Sequence, residues 1–108
     1  MYARTTQLEI DTVRVPLDAA LELFRTEVLP RLDEQPGFRG VQVLSTPDGR
    51  ALILTFWEHD GASSGLESAF YHDVLGRYAT LFRSPPGRGW YEVLLSTPLA
   101  EPTVTAGP

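Results

Sequence analysis

The chain has 108 residues, of which 43% are hydrophobic, and this composition predicts one packed domain and not a disordered segment. Fourteen acidic residues outnumber nine basic ones, and no run of basic residues could neutralise successive phosphates, so nucleic acid is not an expected partner. Cysteine is absent, which excludes disulfides, thiolate nucleophiles and iron–sulfur clusters.

The first two predicted elements are a strand and an amphipathic helix. Residues 7–15, QLEIDTVRV, alternate with the period of two that is typical of a half-buried strand. Apolar residues then recur at helical spacing, and Pro16 suits a first turn, so a helix is predicted from Pro16 to about Arg31. Pro30 is predicted to kink its last turn, because proline has no N–H to donate, and the Gln-Pro-Gly sequence at 35–37 ends the helix.

A β-hairpin follows. Residues 38–46 and 50–58 are predicted to be strands joined by a Thr-Pro-Asp-Gly turn at 46–49, where proline fixes φ and glycine permits a positive φ. The second of these strands contains ALILTFW, which is apolar at both parities although hairpin strands usually alternate. Both faces of the sheet are therefore expected to be covered.

The last predicted elements are a helix, a strand and a tail. The helix is predicted to begin at Asp60 or at Ser64, which has capping-box spacing to a glutamate, and to run towards Phe82. The fourth strand is predicted over residues 90–96, WYEVLLS. Residues 98–108 carry several prolines and few apolar residues, and are predicted to be a flexible C-terminal tail.

The order of these elements is β-α-β-β-α-β, which predicts a ferredoxin-like α+β fold over residues 1–97. In that fold two helices cover one face of a four-stranded antiparallel sheet. Since no further layer is predicted for the other apolar face, a second copy of the chain is expected to cover it and to close a dimeric α+β barrel. The expected protein partner is therefore the chain itself, as a homodimer.

Two short motifs lie at corners of the predicted fold: QPGFRG at 35–40 follows the first helix, and TFWE at 55–58 ends the third strand. With these motifs the chain resembles the antibiotic biosynthesis monooxygenase-like dimeric α/β-barrel family over about residues 7–97. The resemblance implies a cavity between helices and sheet, and the family carries diverse functions on one scaffold. Its haem-degrading branch relies on an asparagine, and this chain has none, so haem degradation is not expected.

Three residues are candidates for chemistry in such a cavity. His59 follows Trp57 at the same strand parity and could deprotonate a phenol or an anthrone-type carbon, giving a carbanion that reacts with dioxygen without a cofactor. Tyr71 could orient a ligand carbonyl, and Arg83 could stabilise an enolate or a carboxylate. Each also has a structural interpretation: a solvated histidine in a turn, a tyrosine that finishes the core, and an arginine near a helix C-terminus.

Four aromatic residues are predicted to bind the substrate: Trp57, Phe70, Tyr78 and Trp90. The alternative for each is ordinary packing in the core. His72 is predicted to face solvent, since it lies opposite the apolar arc of the second helix. The two histidines lack the convergent spacing of known metal sites, so no metal is expected.

These observations leave three hypotheses open. The leading one is a cofactor-independent, monooxygenase-like enzyme that acts on a small aromatic or polyketide-type metabolite. The alternative is a non-catalytic homodimeric module that binds or regulates, and isomerase or lactone chemistry is a third possibility. The longest apolar run, residues 51–57, is far shorter than the roughly 20 residues of a membrane span, so a cytoplasmic protein without membrane partners is expected.

Overall fold

A computed structural model describes residues 1–59, 72–74, 76–84 and 86–99. Its four strands are β1 (Tyr2–Glu9), β2 (Phe38–Ser45), β3 (Arg50–Trp57) and β4 (Gly87–Glu92). They form one sheet in the order β2-β3-β1-β4, and every neighbouring pair is antiparallel. This order confirms the predicted ferredoxin-like α+β fold. Among the described residues, no helix has the length and hydropathy that a membrane crossing needs.

The first strand differs from its prediction at both ends. It was expected over 7–15, but β1 begins at Tyr2, which pairs with β3 on one side and with β4 on the other. The strand ends because Asp11 forms a turn: its Oδ1 accepts a hydrogen bond from the Val13 N–H at 3.1 Å, and its carbonyl accepts one from the Arg14 N–H at 3.0 Å. The alternation beyond residue 10 therefore belongs to a turn and not to a strand.

The first helix is continuous in space but irregular in hydrogen bonding. It consists of α1 (Leu17–Leu23), a π-helical segment (Phe24–Val28) and α2 (Leu29–Asp33). Because Pro30 has no N–H, the carbonyl one turn earlier lacks its usual donor, and the π-helical turn lies at that point. The irregularity was predicted for the last turn and lies one turn earlier.

The predicted hairpin is confirmed to within one residue at each strand. The Thr46 N–H donates to the Arg50 carbonyl at 2.8 Å, and the Gly49 N–H donates to the Thr46 carbonyl at 3.1 Å. Gly49 has a φ of 96°, and a Cβ there would lie 2.6 Å from the Ile10 carbonyl oxygen. Glycine is therefore required at this turn both by conformation and by space.

The second helix is described only in its last part. Residues 72–74, 76 and 77 are helical, and a 3₁₀ turn, Ala79–Leu81, leads to Phe82, which bridges to Ile10. The predicted starts at Asp60 and Ser64 lie outside the described residues.

The fourth strand is also shifted from its prediction. It was expected over residues 90–96, but β4 spans Gly87–Glu92. Since Glu92 pairs with Tyr2, the antiparallel partner strand runs out there, and the last contact is a hydrogen bond from the Val93 N–H to the Met1 carbonyl at 2.9 Å. Residues 93–99 continue without strand pairing.

The two faces of the sheet have different surroundings. The helical segments pack on one face, where Val28, Leu32, Trp57 and Val74 form a buried cluster. Leu52, Leu54 and Phe56 of β3 alternate with the residues that face the helices and therefore lie on the opposite face. Leu44 of β2 and Tyr91 of β4, which is 59% exposed, lie on the same face. This second face, the open face, is apolar along the middle and end of β3, and no layer from the described part of the chain covers it.

Candidate functional site

A cavity of about 620 Å³ lies between the helical segments and the sheet. Its walls are mainly aliphatic and include Leu8, Ile10, Ala20, Leu21, Phe24 and Ile53. This volume falls within the roughly 300–1,000 Å³ that is usual for pockets that bind small molecules. The cavity is therefore large enough for a fused-ring aromatic compound.

The positions of the lining residues follow from the two periodicities of the fold. Alternate residues of β1 and β3, such as Leu8 with Ile10 and Ala51 with Ile53, point to the helices and form the floor. The amphipathic first helix provides the opposite wall. Ala20 on that helix and Ala51 on the floor are small, and small side chains in the lining leave space between the layers.

Two buried threonines belong to the cavity floor. Thr6 and Thr55 each retain only 1% of their accessible surface. The Thr55 Oγ1 accepts a hydrogen bond from the Trp57 Nε1–H at 2.9 Å. The Thr6 Oγ1, by contrast, has no hydrogen-bond partner among the described residues. A buried polar group without a partner costs about 1–3 kcal/mol, so this hydroxyl is a candidate contact for a ligand.

Tyr78 is the third polar residue of interest, because it lines the cavity and joins the two helices. Its hydroxyl donates a hydrogen bond to the Glu27 carboxylate, and Arg31 forms a 3.0 Å ion pair with Asp73 nearby. The hydrogen bond to Glu27 raises the pKa of Tyr78, and desolvation and the negative charge of Glu27 act in the same direction. Tyr78 therefore remains a neutral hydroxyl over a wider pH range than an ordinary tyrosine.

Sequence reasoning missed Glu27 and its contact with Tyr78. The available signal was charge spacing, since Glu27 and Arg31 on one helix, and Asp73 and Arg77 on the other, each have the i,i+4 separation of a helix face. The Arg77–Asp73 pair is indeed present at 3.4 Å. Ion pairs between the two helices depend on how the helices pack, and the spacing of charges along each helix does not determine them.

His59 and Arg83 lie outside the cavity lining. His59 is exposed just after β3, where its Cδ2 would be 3.0 Å from a Cβ at Gly37. Arg83 is also exposed, and its backbone N–H donates to the Glu9 carbonyl at 2.8 Å. Their catalytic roles stay predictions, and these positions favour the interpretation of both as surface residues.

The two tryptophans predicted to bind substrate also lie outside the cavity lining. Trp57 is 3% exposed, belongs to the core cluster and packs edge-to-face against Phe38 with ring centroids 5.4 Å apart. Trp90 stacks on Tyr2 at 6.1 Å, and the Arg4 guanidinium lies 5.0 Å from its ring. Both rings pack against other side chains of the chain, which favours the interpretation that they are packing residues and not ligand contacts.

Tyr78 is the predicted substrate-binding residue that the structure places in the cavity wall. Phe70 and Tyr71 lie outside the described residues, so their predicted roles stay predictions. His72 is exposed, which confirms the expectation that it faces solvent. The candidate site thus consists of aliphatic walls, two floor threonines and one tyrosine.

Solved structures with the same architecture are known. A monooxygenase from Streptomyces coelicolor, solved in complex with nanaomycin D, has a TM-score of 0.69 and 17% sequence identity, covering 92% of this chain and 92% of that chain. SnoaB, a cofactor-independent oxygenase from Streptomyces nogalater, has a TM-score of 0.66 and 15% identity over 91% of this chain and 97% of that chain. The chain has the antibiotic biosynthesis monooxygenase fold.

The same fold occurs in a protein of unknown function from Nitrosomonas europaea, which is 24% identical, has a TM-score of 0.64, and is matched over 93% of this chain and 95% of that chain. Neither a protein-family model nor a curated protein matches the sequence. The antibiotic biosynthesis monooxygenase fold is thus confirmed as the resemblance predicted it, and at these identities the likeness concerns the fold and not the chemistry.

Proposed function

We propose that this protein binds a small aromatic or polyketide-type metabolite in the cavity and oxidises it with dioxygen without a cofactor. The observation that carries the proposal is the 620 Å³ cavity, whose aliphatic walls suit a flat apolar ring system. The shared fold adds support, because one structural neighbour is a cofactor-independent oxygenase and another was solved with nanaomycin D.

The reaction that fits such a site is oxidation of an anthrone-type carbon. Removal of one proton leaves the electron pair on the carbon, and the carbanion then reduces dioxygen. One oxygen atom becomes the new carbonyl, and the other leaves as water with the two hydrogens that the carbon has lost. The Tyr78 hydroxyl donates its hydrogen to Glu27 and can still accept a hydrogen bond from a ligand hydroxyl, and Asp18 is a carboxylate in the described lining.

The direct test is oxygen uptake by purified protein supplied with 1,8-dihydroxyanthrone, corrected for spontaneous oxidation in protein-free buffer. The proposal predicts one dioxygen consumed for each anthraquinone formed, at a rate proportional to protein concentration. Conversion that continues without oxygen would instead indicate isomerase or lactone chemistry.

The role predicted for His59 has its own test. If His59 is the base, His59→Ala abolishes oxygen uptake while the far-ultraviolet circular dichroism spectrum is unchanged. An unchanged rate would remove His59 from the mechanism and leave the cavity as the site. Arg83→Ala and Tyr71→Phe test their predicted roles in the same assay.

The second candidate function is a non-catalytic module that binds the same class of metabolite. It is favoured by the aliphatic lining and by the positions of His59 and Arg83 outside it. The two functions differ in the assay above, since a binding module takes up the anthrone without accelerating its oxidation. Equilibrium dialysis beside the oxygen measurement therefore distinguishes them.

We also propose that the open face pairs with the same face of a second copy. Its support is the run Leu52, Leu54 and Phe56, which alternates with the helix-facing residues of β3 and is covered by no described layer. Sedimentation velocity should show a dimer that Leu54→Glu converts to monomer. Val13→Glu, at a residue 94% exposed in the turn after β1, should leave the dimer intact. A monomeric wild-type protein would contradict the proposal.

A further inference from the structure

No positive charge lines the cavity. The chain has nine arginines, no lysine and two histidines, all of them within the described ranges, and none lines the cavity. Asp18 is the charged residue in the described lining, and its charge is negative. A ligand carboxylate or phosphate would lose its water on entry and gain no counter-charge, which strongly disfavours binding. The cavity is therefore suited to an uncharged ligand.

The unpaired hydroxyl of Thr6 shows which polar group that ligand would carry. Thr6 lies on the same face of β1 as Leu8 and Ile10, which are aliphatic floor residues. Its Oγ1 has no partner in the described part of the chain, whereas the neighbouring Thr55 already accepts the Trp57 Nε1–H. A threonine hydroxyl can donate one hydrogen bond, and a carbonyl oxygen is an acceptor that brings no charge with it.

We infer that the cavity selects uncharged aromatic ketones, whose carbonyl oxygen accepts a hydrogen bond from Thr6, and rejects the corresponding carboxylic acids. This inference rests on the proposed function and names the substrate class for it. Thr6 is 1% exposed, so the ligand oxygen reaches it through small side-chain shifts in the floor. Rotamer changes of this kind are common when a binding surface receives its partner.

Three compounds with the same fused-ring skeleton provide the test: 9-fluorenone, fluorene, which lacks the carbonyl, and 9-fluorenone-4-carboxylate. Their affinities are measured by equilibrium dialysis at neutral pH. Wild-type protein should bind fluorenone about three- to tenfold more tightly than fluorene, the ratio that one neutral hydrogen bond provides. The carboxylate should bind at least about tenfold more weakly than fluorenone, because its charge enters unpaired.

The variants are Thr6→Val, which keeps the shape and removes the hydroxyl, and Thr5→Val. Thr5 is the adjacent residue of β1 and lies on the other face of the sheet, so it serves as the matched control. Thr6→Val should bind fluorenone and fluorene equally, and Thr5→Val should keep the wild-type preference.

Thermal unfolding without ligand gives a second readout. Since Thr6→Val removes an unpaired buried hydroxyl, the midpoint should rise by about 4 °C or more. A variant with a higher midpoint and a lost ketone preference has folded, so a change in its binding cannot be attributed to misfolding.

The outcomes separate this inference from the function on which it rests. A ketone preference that survives in Thr6→Val, or a carboxylate that binds as tightly as fluorenone, overturns the inference. Binding of fluorene and fluorenone to wild type with equal affinity also overturns it and leaves the proposed aromatic site standing. Failure of all three compounds to bind wild-type protein overturns both.

Discussion

Enlarging Ala20 tests whether the space between the helices and the sheet is truly unfilled. Ala20 and Ala19 are neighbours on α1, but Ala20 lines the cavity whereas Ala19 is exposed. Ala20→Leu should therefore place new apolar atoms inside the cavity, and Ala19→Leu should place the same atoms in water. The change in helix propensity is the same for both variants, so it cancels in the comparison.

The expected magnitude follows from apolar burial. Leucine adds three carbon groups to alanine, and each is worth about 0.8 kcal/mol when it is fully buried. Ala20 is half-buried, so roughly 1–2 kcal/mol of stabilisation is expected for Ala20→Leu and close to zero for Ala19→Leu. For a domain of this size, that gain corresponds to a rise of roughly 4–8 °C in the unfolding midpoint.

The assay is thermal unfolding followed by circular dichroism, with fluorenone dialysis on the same samples. Ala20→Leu should be more stable than Ala19→Leu and should bind fluorenone more weakly, because the new side chain takes up ligand space. Had the region been densely packed, the added atoms would cost roughly 1–3 kcal/mol through strain. A lowered midpoint for Ala20→Leu with unchanged Ala19→Leu would refute the presence of the cavity.

The remaining predictions concern the core, a turn and the contact between the helices. Leu32→Ala should lower the free energy of unfolding by about 2–5 kcal/mol in urea titrations, because Leu32 is 1% exposed in the core cluster. Gly49→Ala should destabilise the hairpin, since its φ is 96° and the new Cβ would lie 2.6 Å from the Ile10 carbonyl; an unchanged urea midpoint would contradict this. Glu27→Gln should lower the pKa of Tyr78 towards its ordinary value, as followed by ultraviolet titration against Tyr78→Phe. Since the folded-state pKa is raised, the stability from this contact is present below the unfolded tyrosine pKa of about 10 and is lost as the pH rises through the folded one.

Elements with local signals could be predicted from the sequence closely. The hairpin was within one residue of its bounds because proline and glycine fix the turn at 46–49, and the first helix followed from apolar spacing. The shifts in β1 and β4 have one common cause: these two strands pair with each other. Because β1 begins at Tyr2 and the chain turns at Asp11, the β1–β4 register fixes the bounds of β4. That register is a property of two paired strands, so the sequence of either strand alone does not predict it.

The candidate site was predictable only in part. Tyr78 was predicted to bind the substrate and does line the cavity, whereas Trp57 and Trp90 lie outside its lining and pack against other side chains, so their predicted roles stay predictions. Thr6 was missed because the first strand was predicted to begin at residue 7, one residue after Thr6. A threonine also carries no pattern that distinguishes a cavity floor from a surface strand. Which polar groups are left without partners becomes visible only when the layers are assembled.

Methyl-resolved NMR titration of the protein with 9-fluorenone tests the central claim, that an aromatic ketone binds between the helices and the sheet. The methyl resonances of Leu8, Ile10 and Ile53 report on the cavity floor, and those of Leu52 and Leu54 report on the open face. The account predicts saturable shifts in the first group with little change in the second. Shifts confined to Leu52 and Leu54, or no saturable shift in either group, would contradict it.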